Sequence, residues 1–466
     1  MSASTSTPTA DADRPSTWQQ GAIATVTIES LTDGGDGLGH YLNRPVFVPQ
    51  TVPGDEVDVR LIRVKPSHGF GLVRQLVKAS TERDRPNCIV ADKCGGCQWQ
   101  HVKSDYQLAA KTQILRDALT RIGGFADLEM LPPALAAPSP WRYRNKVSYP
   151  IATKADGSFR MGYYTKSSHR LINLNQCPVQ DERFDPLLRD LKVDFQAAGW
   201  TAYNETKHDG DLRHLSLRVG RRTGQLLLTL IANCDVLPGC ETWAQRWLKR
   251  YPNLRGVCVN VNQRRTNAIF GPRTYSIAGS KTIEERLAGV TFQIDSTSFF
   301  QVYTEQAERF FEWIVDQLCL TGSETVVDAY CGIGTLSLPL ARRVRSVTGI
   351  ESHPAAVDCA RANAQRNDIA NATFLAGKVE FVLPELETPD IVFLDPPRRG
   401  CDRQALATLI GQHPERIVYV SCHPATLARD VKILTAAGHY RLVLARAADF
   451  FPQTAHVEAV VFLERI

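Results

Sequence analysis

The sequence predicts an α/β protein: a Rossmann-like C-terminal domain, preceded by a small β-barrel and a central α+β region. Three observations predict it. From Thr325 onward, short apolar strands alternate with helical stretches, the order that builds a parallel sheet covered on both faces. Residues 18–78 carry brief alternating strands separated by glycine-rich turns, the pattern of a barrel. The length of 466 residues exceeds what one hydrophobic core usually serves. The expected divisions are a tail at 1–17, the barrel at 18–78, a thiol-bearing central region at 79–290 and the α/β domain at 291–466.

The tail is rich in Ser, Thr, Ala and Pro and has neither a basic start nor an apolar core, so it reads as disordered and not as a signal peptide. No apolar run approaches the roughly 20 residues of a membrane span. The 12 cysteines fit a reducing compartment, where clustered thiols bind metal or catalyse. A cytoplasmic protein with no membrane and no obligate protein partner is expected. In the barrel, Ala22 to Ile28, Arg44 to Val48 and Glu56 to Val64 read as strands, parted by Asp33 to Gly39 and by Val52-Pro53-Gly54-Asp55. Residues 18–86 hold eight basic and eight acidic side chains, so any nucleic-acid contact there rests on local residues such as Arg63, Lys65 and His68.

Cys88, Cys94 and Cys97 follow closely, and Cys177 stands well downstream before a proline. Three near thiols and a distant fourth can close a four-thiolate site for zinc or for a [4Fe-4S] cluster, and spacing alone does not separate the two. Leu108, Thr112, Leu115, Leu119 and Ile122 then mark an amphipathic helix over 104–122, stopped by Gly123-Gly124. Residues 131–290 carry a net charge of +11, whereas 291–466 carry −5. A basic segment beside an acidic domain suggests an RNA track. Within it, Trp141-Arg142-Tyr143-Arg144-Asn145-Lys146 alternates aromatic rings with cations, which suits stacking on unpaired bases.

Ala307, Phe310, Phe311, Ile314 and Leu318 mark a helix leading into the α/β domain. Its first strand, Thr325 to Ala329, runs into Tyr330-Cys331-Gly332-Ile333-Gly334-Thr335, a turn whose glycines let a ligand approach the backbone. The next strand ends at Glu351, placed to accept hydrogen bonds from ribose hydroxyls. The strand Ile391 to Leu394 ends in Asp395-Pro396-Pro397. The strand Val418 to Ser421 ends in Cys422, just before a helix, where the dipole favours a thiolate. Two strands near Arg441 to Ala445 and Val457 to Leu463 close the chain.

Together these motifs resemble the S-adenosylmethionine-dependent uracil-5 RNA methyltransferases, in the branch acting on 23S ribosomal RNA. The residues that carry the resemblance are Phe299-Phe300-Gln301-Val302, Asp395 to Gly400 and Ser421 to Asp430. Two positions depart from the frequent pattern: His423 and Thr335 stand where Asn often does. The resemblance implies an α/β Rossmann-like methyltransferase domain, an N-terminal OB-like β-barrel of the TRAM type and a central RNA-binding α+β domain. It also implies a [4Fe-4S] cluster, in preference to zinc, on Cys88, Cys94, Cys97 and Cys177, and an S-adenosylmethionine site that includes Gln301, Tyr330, Gly332, Gly334, Glu351 and Asp395. RNA is the implied partner, ribosomal in preference to transfer RNA.

The chemistry follows from what uracil lacks. Its C5 is too weak a nucleophile until a group adds at C6, and Cys422 is the expected nucleophile. Glu458, which matches the family's glutamate and interrupts an apolar strand, is the expected base for the C5 proton. Asp395 is expected to orient the uracil or the cofactor, as an ionised acceptor. Three rivals stand beside this reading. An amino methyltransferase would place an aromatic residue after Asp-Pro-Pro, where Arg398 stands; a cytosine-5 enzyme would use a cysteine near Cys401; a noncatalytic RNA-binding or assembly factor would need a vestigial site.

Overall fold

The computed structural model describes residues 17–126, 128, 131–154, 156–166 and 168–466. The tail expected at 1–17 lies outside the described residues except for Thr17. Two compact units partition the chain, one of residues 1–85 with 101–103 and the other of 86–100 with 104–466.

The first unit is a closed barrel of β1 (Ile23–Leu31), β2 (Gly37–Tyr41), β3 (Arg44–Val48), β4 (Glu56–Val64) and β5 (Gly69–Lys78), in the order β1-β2-β3-β5-β4. Val26, Ile28, Val46, Val57 and Leu61 alternate inward and are almost wholly buried, as a strand period of two requires. Closure removes the exposed edges that a small sheet would otherwise present. Asp55, fully buried, accepts from the backbone of Val52 and Ser80 and pairs with Arg83, which ties the turn between β3 and β4 to the barrel's exit segment.

In the second unit, α1 (Ser104–Ala118) runs into a π-helical turn at Leu119–Gly123. That wider turn departs from the uniform helix expected to 122. It shifts the register of the apolar stripe, so Leu119 is buried while Ile122 is 40% exposed. The central sheet contains β6 (Lys146–Thr153), β7 (Phe159–Met161), β8 (Leu212–Val219), β9 (Leu226–Ala232), β10 (Leu254–Val261) and β11 (Arg273–Gly279), in the order β11-β10-β9-β8-β6-β7. One face packs on α2 (Phe184–Ala197) and α3 (Cys240–Arg250) through Tyr149, Leu217, Phe195 and Trp247. A hairpin of β12 (Thr282–Leu287) and β13 (Val290–Asp295) and then α4 (Thr304–Leu318) lead onward.

The α/β part interleaves strands with helices: β14 (Thr325–Ala329), α5 (Ser337–Ala341), β15 (Ser346–Glu351), α6 (Pro354–Arg366), β16 (Ala372–Ala376), α7 (Val379–Val382), β17 (Ile391–Leu394), α8 (Arg403–Gln412), β18 (Arg416–Ser421) and α9 (Pro424–Ala436), closing with β19 (Tyr440–Ala448) and β20 (Glu458–Arg465). The sheet order is β16-β15-β14-β17-β18-β20-β19, with every strand parallel except β20, which runs antiparallel to its neighbours β18 and β19. Chain direction across the sheet reverses between β14 and β17, the position where doubly wound sheets open a ligand crevice. Val326, Phe393 and Val418 face one core with α4 and α6, while Val327, Leu394 and Tyr419 face another with α8, α9 and α1. The helix that follows the clustered thiols is therefore built into the α/β core.

Candidate active site

The crevice is shaped first by backbone. After β14, Tyr330 adopts a left-handed φ of +72° and Gly332 one of +56°. For a tyrosine this is strained, and it holds because the Tyr330 and Cys331 amides both donate to Ile350 O, at 2.9 and 3.0 Å. Glu351 ties the same turn from β15: its Oε2 accepts from Gly332 N at 3.2 Å and its Oε1 from His353 N at 2.7 Å. Beneath the turn, buried Asp328 accepts from Ser337 Oγ, and burial pushes its carboxyl up to about 7.

These elements open on a cavity of about 900 Å³. Gln301, Tyr330, Gly332, Glu351 and Asp395 line it, as do Cys422 and Glu458. Gly334 does not. A Cβ there would meet Leu338 and Phe374 at 3.1 and 3.2 Å, so its glycine serves packing behind the turn. At Gly332, by contrast, a Cβ would project into open space.

Cys422 follows β18, and His423 caps α9, its Nδ1 accepting from Thr426 N at 3.3 Å. An asparagine at this position could serve the same cap, which accounts for the departure from the family pattern. The helix end does not by itself produce a thiolate. Burial, then the neighbouring carboxyls Glu458 and Asp395, push the Cys422 thiol up, and only Arg398 opposes them. Glu458 opens β20 beside Ala448, and burial with Asp395 pushes it up to about 8. Burial alone pushes Asp395 up to about 7, which brings its protonated form closer to neutral pH than an ordinary carboxylate's.

Cys401 lies apart from this group. It is buried, does not line the cavity, donates its amide to Asp430 Oδ2 at 2.9 Å, and has a thiol pushed up to about 12, chiefly by burial. Cys88, Cys94, Cys97 and Cys177 do line the same cavity as Cys422. Burial, and then the partly negative neighbours among the four, raise Cys97 to about 12 and Cys177 to about 11. Among the described residues, no group of three or more His, Cys, Asp or Glu side chains is arranged to hold a single metal ion.

The strip Trp141 to Lys146 is not a solvated stacking surface. Tyr143 is 1% exposed and stacks on Tyr303 at 4.7 Å, and Arg142 is taken up by Asp185 and Cys177 O. Arg144 turns into the cavity, whereas Lys146 lies on the central sheet. Residues 141–145 precede β6, and Arg142 takes a left-handed φ of +57°, so the run turns Tyr143 into the core and leaves Trp141 half-buried beside it.

Other parts of the site gave a weaker sequence signal. Arg398 Nη2 lies 3.2 Å from His456 Nδ1, and Thr454 lines the cavity beside them. The loop that carries Thr454 and His456 is clamped from α1. Lys111 Nζ donates to Asp449 Oδ1 at 2.5 Å and to Phe451 O at 3.1 Å, while Gln107 donates from Nε2 to Gln453 Oε1 at 3.2 Å and its Oε1 accepts from the Gln453 amide at 3.0 Å. A lysine and a glutamine one turn apart on the packed face of an amphipathic helix were the available clue.

Comparison with known proteins places this geometry in context. Residues 277–466 match the tRNA (uracil-5-)-methyltransferase family, and residues 17–73 match the TRAM domain. An uncharacterized RNA methyltransferase of Nostoc sp. PCC 7120 is 53% identical over 96% of this chain and 97% of its own length. One from Halalkalibacterium halodurans is 39% identical over 95% and 97%. Among solved structures, the Pyrococcus abyssi tRNA (uracil-54, C5)-methyltransferase in complex with S-adenosyl-L-homocysteine superposes with a TM-score of 0.75 and 29% identity, covering 94% of this chain and all of that one.

Proposed function

This chain belongs to the RNA uracil-5 methyltransferase family, and we propose that it transfers a methyl group from S-adenosylmethionine to C5 of a uridine in 23S ribosomal RNA. The observation that carries this reading is the gathering of Cys422, Glu458 and Asp395 in one cavity with the Gly332–Glu351 turn. The open space at Gly332 is a cradle that any side chain would fill, and Glu351 offers carboxylate oxygens for ribose hydroxyls. Gln301 and Tyr330 complete the residues that would hold the cofactor. Bound there, S-adenosylmethionine supplies an electrophilic methyl group.

The remaining steps belong to the chain. Cys422, as thiolate beside the Arg398 guanidinium, adds to C6 of the uracil and makes C5 nucleophilic. Asp395 meets the polar edge of the base or the cofactor. Once C5 carries the methyl group, Glu458 as carboxylate removes the C5 proton, and the Cys422 thiolate leaves by elimination.

For the four thiols the reading is a [4Fe-4S] cluster with a structural or RNA-positioning role. It is supported by an all-sulfur donor set lining one cavity. The 12 free cysteines suit a reducing cytoplasm.

Similarity to the Pyrococcus abyssi enzyme favours a second reading, with transfer RNA as substrate. Against it stands the motif resemblance to the ribosomal branch; the barrel separates this chain only from the bacterial transfer-RNA branch, since the superposition on the Pyrococcus abyssi enzyme covers 94% of this chain. Mass mapping of 5-methyluridine in RNA from cells with and without the gene separates the two. Loss at one 23S uridine supports the first reading, loss only in transfer RNA replaces it with the second, and no loss in any RNA contradicts both.

A further inference from the structure

Lys146 of β6 and Arg218 of β8 are direct cross-strand partners in an antiparallel pair. Like charges placed opposite one another destabilise a sheet, so the pair calls for a counter-charge. The chain supplies it only in part, through the Asp295 carboxylate, which attracts both cations without forming an ion pair with either. Among the described residues neither side chain forms an ion pair, and the nearby Asp295 carboxylate already accepts from Thr297 N, Thr297 Oγ1 and Ser298 N at 2.7, 2.9 and 2.6 Å. Arg218 is 3% exposed and donates from Nη2 to Ser298 O at 2.5 Å, while its buried Nε and Nη1 have no partner. Lys146 Nζ lies 5.1 Å from the ring centre of Phe270.

We propose that Lys146 and Arg218 bind a backbone phosphate of the RNA substrate next to the target nucleotide. A phosphodiester brings one negative charge and two acceptor oxygens, matching the Lys146 ammonium and the guanidinium charge of Arg218 enclosed behind it. Its place follows from the chain: Ser298 holds Arg218, and Phe299 and Gln301 line the catalytic cavity. The pair lies on the sheet face opposite Val147, Tyr149, Leu215 and Leu217, which pack on α2 and α3. Burial, then the Arg218 charge, push Lys146 down to about 7, the strain that a bound anion relieves. This inference rests on the reading of RNA as substrate, but binding tests it without turnover.

The experiment measures binding of single-stranded RNA containing the target uridine across a salt series, with each phosphate in turn replaced by a neutral methylphosphonate. Lys146→Met and Arg218→Met should each weaken binding about 10-fold. Each should also flatten the logarithmic salt slope by about 0.7, while S-adenosylmethionine affinity stays unchanged. One methylphosphonate near the target should weaken the wild type similarly and leave Lys146→Met no weaker. Should Arg218→Met fail to fold, Lys146→Met and the backbone scan decide. Unchanged affinity and slope in Lys146→Met, or a scan that costs variant and wild type equally at every phosphate, overturns the site. Assay of C5 methylation in the same RNA separately tests the catalytic reading.

Discussion

Arg398 Nη2 lies 3.2 Å from His456 Nδ1, joining the turn after β17 to the loop before β20. The same guanidinium acts on the Cys422 thiol and the Glu458 carboxyl, lowering the pKa of both against the effect of burial. His456 can accept from Arg398 only through an unprotonated nitrogen, and burial followed by the Arg398 charge hold its pKa down. One cation thus orients the neutral imidazole and moderates the two groups that must lose protons.

Replacing Arg398 with Met should raise the Cys422 pKa further. Alkylation of Cys422 by iodoacetamide, followed by mass spectrometry as a function of pH, should inflect at higher pH in the variant, with Arg398→Lys between it and the wild type. Coincident profiles would remove Arg398 from thiol activation.

Glu458 gives a pH signature of defined sign. Its folded pKa of about 8 lies above the ordinary carboxyl value, so its contribution to stability is full below that ordinary value and is lost as pH rises through about 8. Glu458→Gln keeps a neutral group in place, so its thermal midpoint should exceed that of the wild type above about pH 8 and approach it in acid. Methyl transfer by the wild type should rise over the same interval, since the carboxylate is the working form. A difference in midpoint independent of pH would contradict the assigned burial.

Lys111 is fully buried and pairs with Asp449. Lys111→Met leaves that carboxylate without its partner and should cost about 3 kcal/mol or more in denaturant unfolding. Because the pair fixes the loop before Glu458, kcat should fall more than KM changes. Unaltered stability and kcat would show that the loop holds itself.

Protein purified without oxygen should be brown and contain iron and acid-labile sulfide, and Cys177→Ala should bleach it. Stoichiometric zinc without sulfide would overturn the cluster.

The barrel, the α/β sheet and the cavity-lining positions of Cys422, Glu351 and the four thiols were legible from local pattern, whereas Gln301, and in large part Glu458, came from the family resemblance. Period-two strands announced the barrel, and acids or thiols at strand ends announced the crevice. What was not legible depends on pairing across distance. The Lys146–Arg218 opposition requires the β6–β8 register, and the clamp from Lys111 to Asp449 joins residues far apart in the chain. At Cys422 the sequence offered only the helix terminus that favours a thiolate; the opposing desolvation beside two carboxyls depends on the fold.

The most direct test uses RNA carrying 5-fluorouridine at the target. Fluorine cannot leave as a cation, so after attack at C6 and methylation at C5 the elimination step is blocked and the RNA stays attached. A protein–RNA band that survives denaturation should form with the wild type and with Cys401→Ala, and peptide mapping should place the RNA on Cys422. Cys422→Ala should give neither band nor turnover. Methylation of ordinary uridine by Cys422→Ala would contradict the covalent mechanism.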